Sequence, residues 1–247
     1  MSGFNFEQGS PEWKMARSGK ITASRMGEVL SGCTPKSALC ILDAQGRIVE
    51  KIGNGVAAEK AAAIARARGK TVEERIYEYG GGDIKGYAYE LAAEILTGEP
   101  AEGADTKAMR EGTRREPLAR MAYEIRTGDI VSEVGFLLHP VLPYVGASPD
   151  GLIFPKRKGL EIKSPGPVKH LKTLMYGMPP EHRFQVQCNL WVTGFDTWDF
   201  VSFHPLFKAP HNLFIQTIER DELMIAQMSV MSDELIADVM RIVERFR

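Results

Sequence analysis

The residues in this chain whose types and spacing could do chemistry sit together between 146 and 163. The stretch reads Gly146-Ala147-Ser148-Pro149-Asp150-Gly151, then a basic loop, then Leu160-Glu161-Ile162-Lys163. Asp150 lies in a Pro-Asp-Gly turn, and 160–163 alternates apolar with charged. A strand with that pattern puts Leu160 and Ile162 on a core, and Glu161 and Lys163 together toward a cleft. A hairpin with Lys156, Arg157, Lys158 and Gly159 in its loop folds Asp150 back beside them. Two carboxylates and one ammonium around a point suit Mg²⁺ and phosphate chemistry. Either half alone is weak, because Pro-Asp-Gly is a common turn and Glu-x-Lys is common on solvated strands. The surrounding elements must agree.

Upstream, 105–126 carries apolar residues at 108, 109, 118, 121, 122 and 125. This predicts a long amphipathic helix, kinked where Pro117 removes a backbone donor. The residue before the kink is Glu116. Strands are expected over 131–138 and 144–147, and a helix over 168–176. The next helix, 181–193, is apolar nearly all round, so it is buried on most sides and its Gln185 and Gln187 need partners. Residues two apart lie roughly 200° apart around a helix, so only one of these glutamines can face the cleft. Strands over 198–203 and 213–218 and a helix over 221–246 follow.

At the N-terminus, Ser10-Pro11-Glu12 opens a short helix ending near Gly19. A second helix runs from Thr22, a plausible N-cap whose neighbouring amides could meet an anion, to about Ser31. Residues 33–85 are less legible. They hold a possible hairpin of 38–42 and 47–52 around Asp43-Ala44-Gln45-Gly46, and an Ala-rich helix over 57–68. A Gly80-Gly81-Gly82 break then precedes a helix over 83–96. No catalytic constellation falls there, and the region reads as an insertion shaping an entrance or a subunit contact.

The chain has 247 residues, 44% hydrophobic and 26% charged, which suits one large globular domain. A net charge of −1 argues against a wholly basic nucleic-acid binder. Local charge differs: 156–172 holds six Lys or Arg against the single Glu161, a concentration that points to a phosphate-facing role. Cys33, Cys40 and Cys188 form neither a disulfide framework nor a four-thiolate site and read as buried small residues. His139, His170, His182, His204 and His211 lack zinc-ligand spacing and read as surface, edge-of-core or DNA-facing residues. No run approaches membrane-spanning length and no leader pattern opens the chain, so a soluble intracellular protein is expected.

The order of motifs is more specific than any one of them. Trp13-x3-Arg17 comes with Ile21-Thr22-Ala23-Ser24, then Gly112-x3-Glu116, Ser148-Pro149-Asp150-Gly151 and Glu161-Ile162-Lys163. Gln185-Val186-Gln187 with Trp191-Val192-Thr193 closes the series. This ordered set resembles the lambda exonuclease-like phage recombination exonucleases, the YqaJ-like viral recombinases of the PD-(D/E)XK nuclease superfamily. The likeness covers about 13 to 218, with 33–105 poorly matched.

The resemblance implies an α/β fold with a mixed central β-sheet flanked by helices, a restriction-endonuclease-like core. It implies a single nuclease domain over 1–247 with an insertion at about 33–105. Glu116, Asp150 and Glu161, with the Ile162 carbonyl, would hold two Mg²⁺, for which Mn²⁺ can substitute. Lys163 would orient or activate the attacking water, Gln185 would help hold the site together, and Arg17, Ser24 and Ser148 would bind a 5′-terminal phosphate. The implied activity is 5′→3′ digestion of one strand of linear double-stranded DNA, leaving 3′ overhangs for recombination. A homotrimeric ring, a single-strand annealing partner and a cytoplasmic location in a bacterial or phage-infected cell are implied with it. Two other readings stay open: a structure-selective or sequence-specific endonuclease on the same core, and a DNA-end-binding module with a decayed site.

Overall fold

The computed structural model describes residues 3–4, 6–31, 34–44, 48–80, 85–101 and 106–247. In chain order its elements are β1 (Gly3–Phe4), α1 (Pro11–Arg17), β2 (Ile21–Thr22), α2 (Met26–Ser31), β3 (Thr34–Leu42), β4 (Ile48–Gly53), α3 (Val56–Ala67), β5 (Thr71–Gly80) and α4 (Lys85–Thr97). There follow α5 (Lys107–Thr127), β6 (Phe136–Leu138), β7 (Val145–Ala147), β8 (Gly151–Ile153), β9 (Lys158–Lys163), α6 (Pro167–Tyr176), α7 (Arg183–Thr193), β10 (Thr197–Phe203), β11 (Leu213–Glu219) and α8 (Glu222–Phe246). Cys33, Gly81, Gly82 and the turn residues Gln45 and Gly46 lie outside the described residues.

The helix boundaries follow local chemistry. Ser10 caps α1 by accepting the Trp13 amide at 3.1 Å, with Pro11 in the first turn. Thr106 does the same for α5 from Met109, and Asp221 for α8 from Met224. Left-handed Gly128 and Gly194 end α5 and α7. Helix α5 continues through Pro117. Thr22 is not the expected side-chain cap: it sits in β2, a 3-10 turn covers Ala23–Arg25, and α2 begins only at Met26.

Two compact units result. The larger comprises Met1–Leu30 and Ile84–Arg247, the smaller Ser31–Asp83. In the smaller, β4-β3-β5 forms an antiparallel sheet covered by α3, with Ile41, Ala62, Ala65 and Val72 buried between them. Strand β5 is an element that the composition of 71–80 did not announce. The smaller unit ends at Asp83, so α4, inside the stretch 33–105 set apart as an insertion, belongs to the larger unit, where it packs on α8.

The mixed sheet expected from the sequence is present, divided into two four-stranded parts. One has the order β1-β6-β7-β2, with β2 parallel to β7; the other is β11-β10-β9-β8, with β9 parallel to β10. The break has a local cause: Pro149, which lacks an N–H, falls between β7 and β8 and cannot continue a ladder. The strand expected over 131–138 is reduced to β6 plus an isolated bridge from Ser132 to Leu152.

Helix α5 lies on the second sheet and buries Ala119 and Tyr123 against Leu160, Ile162, Val201 and Phe203. The contact fixes Glu116, one turn before Ala119, over the strand that carries Glu161. Beneath it, Gly159 makes room for fully buried Trp198, whose ring would lie 2.1 Å from any added Cβ. Lys158 and Gly159, expected in the hairpin loop, pair with Ile153 and Leu152 as part of β9. A 3-10 turn and left-handed Arg157 make the connection. Cys40 and Cys188 are buried free thiols. His170 and His204 are buried, which removes the surface reading for these two. Among the described residues no helix is long and apolar enough to cross a membrane.

Candidate active site

The hairpin brings the two halves of the motif together. Asp150 Oδ2 accepts the Ile162 amide at 2.6 Å, which locks the Pro-Asp-Gly turn against the middle of β9. On that strand Glu161 and Lys163 point the same way and meet, Lys163 Nζ lying 2.6 Å from Glu161 Oε1. Glu161 is 1% exposed, so its charge depends on these partners. Helix α7 closes the other side. Gln185 Oε1 accepts from Lys163 Nζ at 3.3 Å, while Gln187, on the opposite face, bonds the Glu219 carbonyl and the Asp221 amide. One glutamine faces the cleft, as the helical spacing requires.

Two further residues hold the carboxylates. Asn189, one turn beyond Gln185, donates to Glu161 Oε2 at 3.0 Å. Arg120, one turn beyond Glu116, donates to Glu116 Oε1 at 2.9 Å and to the Asp150 carbonyl at 3.2 Å, and pairs with Glu133. Neither stood out in the sequence. The usable signal was the i, i+4 spacing from a residue already under suspicion.

The electrostatics are those of crowded negative charge. Burial, then repulsion from Glu161 and Glu116, holds the Asp150 carboxyl well above the usual carboxylate range. Burial also raises Glu116, with Arg120 opposing it. Burial works against the charge on Lys163, but Glu161 and Asp150 outweigh it and its pKa is raised.

Among the described residues no three His, Cys, Asp or Glu groups form a closed metal cage. The internal bonds explain this, since both Glu161 oxygens and one oxygen each of Asp150 and Glu116 are engaged. The donor set nevertheless fits a hard divalent cation. It consists of the carboxylate oxygens of Glu116, Asp150 and Glu161, gathered in one cleft.

Arg17, Ser24 and Ser148 line the same cleft, of about 1070 Å³, as Glu116, Asp150, Glu161, Ile162, Lys163 and Gln185. Arg17 donates to Ser24 Oγ at 3.3 Å and lies 4.0 Å over the ring of Trp13, whose indole N–H donates to Ser148 Oγ at 3.0 Å. Trp13 thus joins all three. Arg17 closes the last turn of α1, so the donors offered to an anion are a guanidinium and hydroxyls rather than a helix N-terminus. Among the described residues Arg17 has no ion-pair partner; burial lowers its pKa, and the more distant Glu94 is among the groups opposing this.

The model of the YqaJ-like viral recombinase domain matches residues 85–196, which include Glu116, Asp150, Glu161, Lys163 and Gln185. No curated protein matches the sequence. Among solved structures the chain is similar to an alkaline exonuclease, LHK-Exo, from Laribacter hongkongensis, at 30% identity and a TM-score of 0.69 over 96% of each chain. The same protein in complex with dAMP matches at 29% identity and TM-score 0.69, again over 96% of each chain. A phage related exonuclease from Haemophilus somnus 129PT shares the fold, at 13% identity and TM-score 0.57 over 92% of this chain and 96% of that one. With a relative of this identity spanning nearly the whole chain and the family model centred on the cleft, the chain belongs to the YqaJ-like viral recombinase family, lambda exonuclease-like proteins with a PD-(D/E)XK fold.

Proposed function

We propose that the protein is a Mg²⁺-dependent exonuclease that digests one strand of linear double-stranded DNA from its 5′ end. The observation that carries this reading is one cleft holding two sets of groups: Glu116, Asp150, Glu161 and Lys163, and beside them Arg17, Ser24 and Ser148. The similarity to an alkaline exonuclease that has been crystallised with dAMP, a nucleotide, supports it.

In this reading Glu116, Asp150, Glu161 and the Ile162 carbonyl hold the metal. When bound, Mg²⁺ supplies charge stabilisation for the attacking hydroxide and the leaving 3′ oxygen of a phosphodiester. Lys163 adds positive charge beside the reacting phosphate and orients the water. Gln185 holds Lys163, Asn189 holds Glu161, and Arg120 ties Glu116 to the Asp150 turn. Arg17 grips the 5′-terminal phosphate through its fork of N–H groups, with Ser24 and Ser148 adding hydroxyls. The family resemblance extends the proposal to a homotrimeric ring around DNA, a single-strand annealing partner and a cytoplasmic setting.

A time course on linear duplex labelled at one end or the other, with Mg²⁺, Mn²⁺ or EDTA, tests metal dependence, end dependence and polarity together. The expected result is loss of the 5′ label first, only with metal, and faster from 5′-phosphorylated than 5′-hydroxyl ends. Arg17→Ala should erase most of the end difference. Cutting of covalently closed circles, or equal initiation on both ends by the unaltered protein, would overturn the reading.

A further inference from the structure

The basic run around the active-site strand divides sharply in the structure. Lys156, Arg157 and Lys158 are each paired, with Asp129, Asp196 and Asp199, and Lys163 is paired with Glu161. Lys169 and Lys172 have no ion-pair partner among the described residues, and both line the cleft. They lie on α6 three residues apart, and Tyr176, four residues further, lines the cleft with them. Positions i, i+3 and i+7 form one stripe along a helix.

Helix α6 buries His170 and Thr173 on one face; the stripe lies on the other, beside exposed Val168, Leu171 and Met175. Tyr176 is 82% exposed, and no aromatic ring stacks on it among the described residues. Its place is nonetheless fixed. Gly177 turns the chain at φ 84° and ψ −166°, a combination open essentially to glycine alone. Its amide donates to the Thr173 carbonyl at 2.9 Å, and the next amide, of Met178, donates to Gln216 Oε1 at 2.8 Å. A Cβ on Gly177 would lie 2.9 Å from that oxygen.

From Lys169 to Tyr176 the helix rises about 10 Å, a few nucleotide steps at roughly 3.4 Å each. Two unpaired cations followed by an open aromatic face are the chemistry that holds a single strand without reading its sequence: phosphates on the lysines, a base on the ring. We infer that Lys169, Lys172 and Tyr176 form a subsite for unpaired nucleotides of the DNA substrate, next to the reacting phosphodiester. The inference rests on the nuclease reading above. The unpaired segment can come from the strand being digested, as a 5′ tail, or from its complement, as a 3′ tail.

The test is fluorescence anisotropy without divalent metal, on blunt, 5′-tailed and 3′-tailed duplexes, using the full chain and its Tyr176→Ala, Tyr176→Phe and Lys169→Ala/Lys172→Ala variants. Tyr176→Ala should weaken binding of one tailed duplex by about 5- to 150-fold, and Tyr176→Phe should restore it. The tail that responds names the strand. The double lysine variant should reduce the salt dependence of tail binding by about 1.4 in log–log slope. Unchanged binding of both tailed duplexes by Tyr176→Ala, or Tyr176→Phe as weak as Tyr176→Ala, would overturn the subsite. If the unaltered protein still digests end-labelled duplex with Mg²⁺, only the subsite falls; if it digests none, the nuclease reading itself fails.

Discussion

Replacing Arg120 by methionine should move the pH at which the site takes up metal. The Arg120 side chain is 11% exposed and meets Glu116, 28% exposed, at 2.9 Å. Burial already raises the Glu116 pKa, and Arg120 is the largest influence opposing that rise. Two unit charges about 4 Å apart interact by about 1 kcal/mol in water and about 4 kcal/mol at an effective dielectric near 20. A site between surface and interior falls within that range, which corresponds to about 1 to 3 pH units. The sign follows from charge: removing the cation penalises only the ionised form, so Glu116 holds its proton to higher pH and the proton competes with metal there. The assay is the Mg²⁺ concentration for half-maximal hydrolysis, measured from about pH 5.5 to 9.5. In Arg120→Met this requirement should begin to climb about 1 to 3 units above the wild-type pH. Arg120→Lys keeps the charge but loses the fork that also reaches the Asp150 carbonyl, so it should shift little and still turn over more slowly. A uniform loss of rate, with the pH profile of Arg120→Met superimposed on wild type, would refute the reasoning.

Asp150→Asn should abolish hydrolysis yet raise the melting temperature of the metal-free protein at neutral pH. The raised folded pKa of Asp150 means its stabilising contribution is present below the usual carboxylate range and is lost as pH rises through the folded value. Asparagine keeps an oxygen for the Ile162 amide, removes the charge, and should melt with wild type again at about pH 4 and below; a lower melting temperature in EDTA at pH 7 would count against the crowding described here. Gly159→Ala drives a methyl into the Trp198 ring and should cost about 1 to 3 kcal/mol, seen as a lower urea midpoint. An unchanged midpoint would mean that the sheet yields there.

The local geometry of the candidate site was legible in the sequence. Glu161 and Lys163 share a strand face because they are two residues apart, and the Pro-Asp-Gly turn needs only a hairpin to return Asp150 to them. Gln185 and Gln187 separate for an equally local reason. Partners distant in the chain were not legible: Lys156, Arg157 and Lys158 looked free for phosphate until Asp129, Asp196 and Asp199 came to meet them. His170 could be read only as surface, edge-of-core or DNA-facing because its partners, Ser202 Oγ and the His211 carbonyl, each at 2.8 Å, come from elsewhere in the fold. The mixed sheet was legible, but its division into two four-stranded parts at Pro149 was not, because a missing N–H is a fact of pairing that periodicity does not carry.

The way the larger unit is threaded has a consequence for how the chain is born. Gly3 pairs with Leu137 and Ile21 with Val145, so both N-terminal strands wait for partners more than a hundred residues downstream. The Ser31–Asp83 unit between them is continuous in the chain, with its own sheet, helix and core. During synthesis it can close first, while Trp13 and Arg17 remain unplaced until β7 leaves the ribosome and Ser148 follows it out. A ribosome that stalls before residue 145 therefore holds a nascent chain with its continuous unit complete and no cleft: the wall that carries Trp13 and Arg17 is placed late, once β2 finds β7.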